Sequence, residues 1–564
     1  MGLSSFQEFL RLASRWLKCL AKKFNRAESV ALAVLVVVII GSSIGASTLN
    51  LRSAFMQPTS GGVFIEGVVG SSHYINPLLA DTNPLDRDLV QLIFSGLTKI
   101  SPGREVQPDL AQGWDVYDQG KTYIFQLREG VLWHDGEKFD AGDVVYTINV
   151  LQNDDYQGVL RGDFSSIAVE AIDDYTVKFV LPSPSAFFLT DMSVGIIPYH
   201  IFKDIPVSDF KLVYPTLPIV GTGPYAYEKA TEQESVTIRR FANYYGDQHF
   251  LERVIFFSFD NERSLATAFE QGVIGAAGFA ELTSRDIELT PNDTQYIYRL
   301  PQYKAVFFNQ LGDNNAIKNK AVRQALAHAT NKNQIISEVA GGWADLVDSP
   351  ILEGFWGHNP DIKKYDFDIA KAAAVLKQGG WVDADKDGFL EKDDTRLSFT
   401  ISVRDDAKSL KIAEILKSSW TAIGAEVGIK TFSASALIKD VIRPRDFEVL
   451  IFGQDLGLDS DPYVYWHSSQ ITDPGLALAV EFDKDIDNNL ESARLATNLN
   501  QSITYYHRFQ NAFADIVPAI LLYQPRLLYL VDNKVKNVTE SINLSSPTDR
   551  FLNISEWYIK TRKE

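Results

Sequence analysis

Cysteine is nearly missing from this chain: the one thiol in 564 residues is Cys19. An internal disulfide framework is therefore excluded, and an exported fold would have to be held by packing alone. No Cys-His cluster has the spacing of a zinc site, and no Gly-x-Ser-x-Gly run accompanies His134-Asp135. Basic side chains are scarce, 54 against 72 acidic ones for a net charge of −18. That balance argues against nucleic acid as a partner. Long apolar runs are also lacking, with one exception. Ser29 to Leu51 carries no charge, and Val30 to Ile40 within it is unbroken.

Such a stretch can cross a hydrocarbon core of about 30 Å as a helix. Arg11, Arg15, Lys18, Lys22, Lys23 and Arg26 precede it, which places residues 1–28 in the cytoplasm and the rest outside. Phe6, Leu10, Ala13, Leu17, Leu20 and Phe24 can share one face of a basic amphipathic helix on the inner leaflet. The favoured reading is an uncleaved single-pass anchor. A cleaved signal peptide, with Gly45-Ala46-Ser47 as its small-residue site, is the alternative. No cysteine follows the apolar run, so a lipid anchor is not expected.

The rest is ordinary globular material, 45% hydrophobic and 12% aromatic, and long enough for about three domains. Its most informative stretch is Pro108 to Asn149. Thr122 to Leu127 alternates with period two, between turns at Asp118-Gln119-Gly120 and Arg128-Glu129-Gly130, which predicts a half-buried strand. After Val131-Leu132-Trp133 and a turn at His134-Asp135-Gly136, Asp140 can cap a helix whose third residue is Asp143. Val220-Gly221-Thr222-Gly223-Pro224-Tyr225 is a tight turn into a strand. No helix or Lys-Ser/Thr follows it, so a phosphate cradle is a poor reading. Further on, the chain crosses into another domain at Lys304 to Gln310 (KAVFFNQ), followed by a helix over Ala321 to Val339, helices at 368–379 and 408–423, and an apolar strand from Ile520 to Val531.

The strings PDLAQGW and GKTYIFQLREGVLWHDGEKFDAGDVVYTI, with VGTGPY, resemble the bacterial family 5 extracellular solute-binding proteins, the oligopeptide, dipeptide and nickel receptors of ABC importers. The resemblance covers about residues 62–564. It implies an α/β (α+β) chain with the two-lobed periplasmic-binding-protein type II fold and an extra third domain, here preceded by one transmembrane helix. The expected layout is a cytoplasmic segment 1–28, an anchor 29–51 and a tether 52–61. First-lobe pieces follow at 62–94 and 215–308, the extra domain at 95–214, a second lobe at 309–524, and a return to the first lobe at 525–564.

For the ligand, the resemblance points to Thr82 and Asn83 in a first-lobe loop and to Phe447–Gln470 in the second lobe. There a buried strand ends at Gly453, Gln454 and Asp455 and runs into an acidic loop before Tyr463, Tyr465 and Trp466. A strand edge can pair with an extended peptide while aromatic walls accept varied side chains. In the family an aspartate of this loop pairs with the ligand's α-amine. Leu458 falls at that position here, and Asp455 or Asp459 could take the role. The plainer alternative is a solvated acidic loop beside a packed tryptophan.

Asp383, Asp385, Asp387, Phe389 (through its carbonyl), Glu391 and Asp394 match the ligand spacing of a calcium loop with Gly388 at its sixth position. Ca2+ is thus a possible ion, an exposed acidic turn being the alternative. His134-Asp135 is better read as structural than as an acid–base pair, and His328, alone on a helix, as a packing residue. No catalytic residue is assigned. The expected function is an extracytoplasmic receptor that binds peptides and delivers them to an ABC permease. Alternatives are a receptor for a nickel chelate or an oligosaccharide, a carbohydrate-processing enzyme, or a membrane-anchored sensor.

Overall fold

The computed structural model describes residues 56–563 apart from 81–82, 103–104, 157, 159, 165, 186–187, 232–234, 281, 457–460, 474, 480, 482, 497–498, 540–543 and 545. The basic segment 1–28, the apolar span 29–51 and residues 52–55 lie outside the described residues. Among those described, no helix is long and apolar enough to cross a membrane. The chain divides into a small unit of residues 1–61 and 558–564 and a large one of residues 62–557. In the small unit Met56–Thr59 pairs antiparallel with Lys560–Lys563, so part of the expected tether is a strand.

The large unit is built on one mixed sheet with two halves. In the first-lobe half, Val63–Val69 lies between Arg253–Phe259 and Ala276–Phe279, parallel to both. The amphipathic helix Glu262–Glu270 covers it, burying Leu265, Ala266 and Phe269 in one core. In the second-lobe half, Ser398–Arg404, Val449–Asp455 and Gln302–Phe308 are central and covered on both faces. Alternation sorts their side chains: Tyr303, Ala305 and Phe307 join one core, Val306 and Phe308 the other. Strand Gln302–Phe308 thus shares its two cores with Ser398–Arg404 and Val449–Asp455.

One long strand, Ala519–Asp532, serves both halves. Its first part pairs with Gln302–Phe308 and its second with Ala276–Phe279 and Asp293–Arg299. The two halves of the sheet therefore meet at two backbone crossings, Leu300-Pro301 and Gln524-Pro525. Proline removes a ladder donor at each, and the buried Gln524 amide bridges the gap by donating to Leu300 O at 2.8 Å.

Within the stretch expected to be an extra domain lies a separate four-stranded antiparallel sheet in the order Ala111–Tyr117, Thr122–Leu127, Thr176–Val180, Ala168–Asp173. Tyr123, Phe125 and Leu127 point into its core, as their spacing predicts. Helix Ala141–Gln152 packs there and starts on the expected capping box, Asp140 and Asp143 each bonding the other's backbone N–H. Such a cap is worth about 1 kcal/mol.

VGTGPY is a packing motif in this fold. A Cβ on Gly221 would stand 2.0 Å from Ile93 O, and the Gly223 N–H donates to that same carbonyl at 2.8 Å, capping helix Pro84–Ile93. The helix expected over 321–339 is two, Lys320–His328 and Lys332–Val339. Asn331 starts the second by accepting from Gln334 N, a cap that outcompetes continuation of the first.

Candidate functional site

Strand Val449–Asp455 ends beside the lobe crossing. One of its edges is fully paired with Gln302–Phe308, Gln302 opposite Asp455 and Lys304 opposite Gly453. On the other edge Ser398–Arg404 pairs only with Val449 and Leu450 and then diverges. Among the described residues, no strand covers that edge from 451 to 455. This is the geometry that accepts an extended peptide backbone.

The side chains at this end alternate. Gln454 is buried and turned away: its Oε1 accepts from Tyr303 OH at 2.8 Å and its Nε2 donates to Leu476 O at 3.0 Å. Gly453 and the exposed Asp455 share the opposite face. The Asp455 carbonyl accepts from Tyr465 OH at 2.7 Å, which fixes where the strand ends. Thr82 and Asp459 lie outside the described residues. Asn83 caps helix Pro84–Ile93 through Asp86 N and donates to Ser71 O at 2.7 Å, so its amide is occupied in shaping the loop.

The aromatic residues divide. Trp466 is buried between Phe307 and Phe513, with ring centroids 6.1 Å and 4.8 Å away, and belongs to the core. Tyr463 is half-buried, stacked on His467 at 4.1 Å with the Arg494 guanidinium 4.2 Å above its ring. Arg494 also pairs with buried Asp461 at 2.8 Å, so that carboxylate holds the loop's helical end. Sequence reading missed Lys304. The signal for Lys304 was present, a charged residue at an inward position of an otherwise apolar strand.

The acidic loop forms a second constellation. Oxygens of Asp383, Asp385 and Glu391 lie within 4.8 Å of one another. The loop curls on its own carboxylates, Asp383 accepting from Asp387 N and Gly388 N. Asp387 and Asp394 are not part of that trio. Asp387 pairs with Arg396 at 2.8 Å, and Arg396 also sits over the Phe389 ring. Asp394 occupies the hairpin turn between Glu391–Lys392 and Thr395–Arg396, at φ +60°. Three carboxylates from one loop can hold a hard cation, and Asp394 stands apart from them in the hairpin turn.

His134 and Asp135 are structural. His134 Nδ1 accepts from Gly221 N and Nε2 faces Gly223 O at 2.9 Å, which fixes the neutral Nε2–H tautomer. Asp135 meets His200 at 2.8 Å. His328 is buried against Tyr365 and bonds Asp366 O.

Residues 105–474 match the family of bacterial extracellular solute-binding proteins, family 5 Middle. The oligopeptide-binding protein AppA of Bacillus subtilis is 26% identical over 85% of this chain and 89% of its own length. Its structure with a nonapeptide superimposes with a TM-score of 0.72 over 89% of this chain and all of that one, at 25% identity. NikZ of Campylobacter jejuni, solved with Ni(L-His), is 28% identical, with a TM-score of 0.72 over 88% of this chain and 99% of its own. The dipeptide-binding protein of Escherichia coli is 25% identical over 83% of this chain and 90% of its length.

Proposed function

Because the chain belongs to the bacterial extracellular solute-binding proteins of family 5, we propose that it is a peptide receptor of an ABC importer. The observation that carries this reading is the uncovered strand edge at 451–455, beside the crossing of two lobes. Ligand backbone pairs with Gly453–Asp455, its α-amine meets Asp455 or Asp459, and Thr82, Asn83 and Tyr463 border the cleft. Hinge closure at Leu300-Pro301 and Gln524-Pro525 encloses the peptide, and the permease receives it with no bond broken. The main domains work outside the cytoplasmic membrane, tethered by residues 29–51. Asp383, Asp385 and Glu391 take up Ca2+ as a structural ion.

A second reading, a nickel-chelate receptor, is favoured by the likeness to NikZ, solved with Ni(L-His). Native mass spectrometry of protein purified without denaturation separates the two. Bound species with the masses of intact short peptides support the first reading. A nickel complex, or a fragmented ligand, contradicts it.

A further inference from the structure

Strand Gln302–Phe308 is fully buried from Ala305 to Phe308 and only partly buried at Gln302 and Lys304. In the row formed by Phe308 and Val306, the next residue toward the lobe crossing is Lys304. A lysine at such a position costs desolvation. Burial lowers its ammonium from the ordinary value; the Asp406 carboxylate opposes this, and Arg404 and Lys408 add to the lowering. Asp406 is itself occupied, by Arg404 at 2.6 Å and by the Ser409 N–H whose helix it caps. Among the described residues, Lys304 Nζ has neither a hydrogen-bond nor an ion-pair partner.

The position of that charge is specific. Lys304 stands directly across the ladder from Gly453. A Cβ on Gly453 would lie 3.7 Å from Lys304 Cδ and 3.9 Å from Nζ. The lysine therefore reaches over the space that a side chain at 453 would fill, toward the edge of Val449–Asp455 that no described strand covers. Arg404, Lys408 and the N-terminus of helix Ala407–Thr421 surround the same corner. A helix N-terminus adds positive potential. Asp406, the carboxylate that acts on Lys304, is already engaged by Arg404 and Ser409, which leaves the ammonium able to make a charge-assisted contact with an anion on the ligand.

We infer that Lys304 is a specificity-determining residue of the cleft, pairing with a carboxylate of the peptide laid along residues 451–455. This rests on the peptide-receptor reading. The carboxylate has two sources, the peptide's C-terminus or an acidic side chain.

The test is titration calorimetry on ligand-stripped full-length protein with three probes: trialanine, its C-terminal amide, and the amide of Ala-Glu-Ala. Wild type should bind a carboxylate-bearing probe about tenfold or more tightly than trialanine amide. Trialanine gaining over the amide names the C-terminus; Ala-Glu-Ala amide gaining names the side chain. Lys304→Met, similar in shape, should lose the preference while still binding trialanine amide, and Lys304→Arg should keep it. Equal affinity of wild type for all three probes, or a preference that survives in Lys304→Met, overturns the assignment. Absence of binding to every probe overturns the receptor reading itself, a distinct result.

Discussion

The imidazole of His134 donates from Nε2 to the carbonyl of Gly223 across 2.9 Å. That bond, with the Gly221 N–H received at Nδ1, ties the strongest signature of the sequence to the VGTGPY turn, which in turn caps the first helix. Three stretches that read separately along the chain are one knot in space.

The knot is pH-sensitive. Burial, partly opposed by the Gly223 carbonyl and Asp135, lowers the His134 pKa from 6.5 to about 4. The unfolded chain therefore takes up this proton at higher pH than the folded one. The stabilisation is complete above pH 6.5 and is lost as pH falls toward 4. Buried His249, lowered to about 4 as well, adds in the same direction. His134→Ala should cost about 2–4 kcal/mol at neutral pH by orphaning a buried N–H and C=O. It should also flatten part of the loss between pH 6.5 and 4 in denaturant melts.

A second test concerns the buried ionic network under the first lobe. Arg550 reaches Glu66 at 3.1 Å and Asp88 at 3.0 Å, and Tyr529 and Thr548 bond the same two carboxylates. Burial raises the Glu66 pKa to about 7 despite Arg550. Arg550→Ala leaves two buried carboxylates facing each other and should cost about 3–5 kcal/mol. A fall in Tm of less than a degree or two would contradict that description.

At the lobe crossing, Arg299 and Arg526 are directly opposed in the ladder. Like charges so placed repel, and Asp345 from the second lobe bridges them at 3.1 Å and 2.9 Å. Burial alone would raise the Asp345 carboxyl; the two arginines outweigh it and hold it below its ordinary value. Its contribution is present above the unfolded carboxylate pKa and lost as pH falls below it. Asp345→Asn should lower stability by about 1–2 kcal/mol at pH 7 and change the affinity for closed-cleft ligands. Unchanged melting and unchanged affinity would remove the bridge from the hinge.

Calcium is tested by thermal melts. If Asp383, Asp385 and Glu391 hold the ion, EDTA lowers Tm and calcium restores it, because a ligand bound to the native state alone stabilises it. Asp385→Ala should abolish the response. A wild-type Tm indifferent to both reagents would leave the loop a plain acidic turn.

Much of this architecture is legible in the sequence where local chemistry is strong. The Asp140/Asp143 box, the alternation at 122–127 and the apolar run at 519–532 each dictate their element, because capping and burial act on neighbours along the chain. The break at Thr330-Asn331 was not legible, since a single Asn cap overrides an apolar helical pattern. The site was legible only in part. Gly453–Asp455 follow from the strand's end, but Trp466 looks like a cleft aromatic until its packing on Phe513 is known. Lys304 acquires meaning only from the register that sets it opposite Gly453. Asp394 stands in a two-residue hairpin turn, a tertiary choice that the spacing of the loop does not show.

The central claim, that a peptide lies on the 451–455 edge with its amine at an acidic residue, is tested most directly by calorimetry on ligand-stripped protein with a free peptide and its N-acetylated form. An amine–carboxylate contact is worth about 1.5–3 kcal/mol, so the free peptide should bind roughly tenfold or more tightly. One of Asp455→Asn and Asp459→Asn, measured separately, should erase the difference. Equal affinity for the two peptides, or binding of neither, would contradict the account.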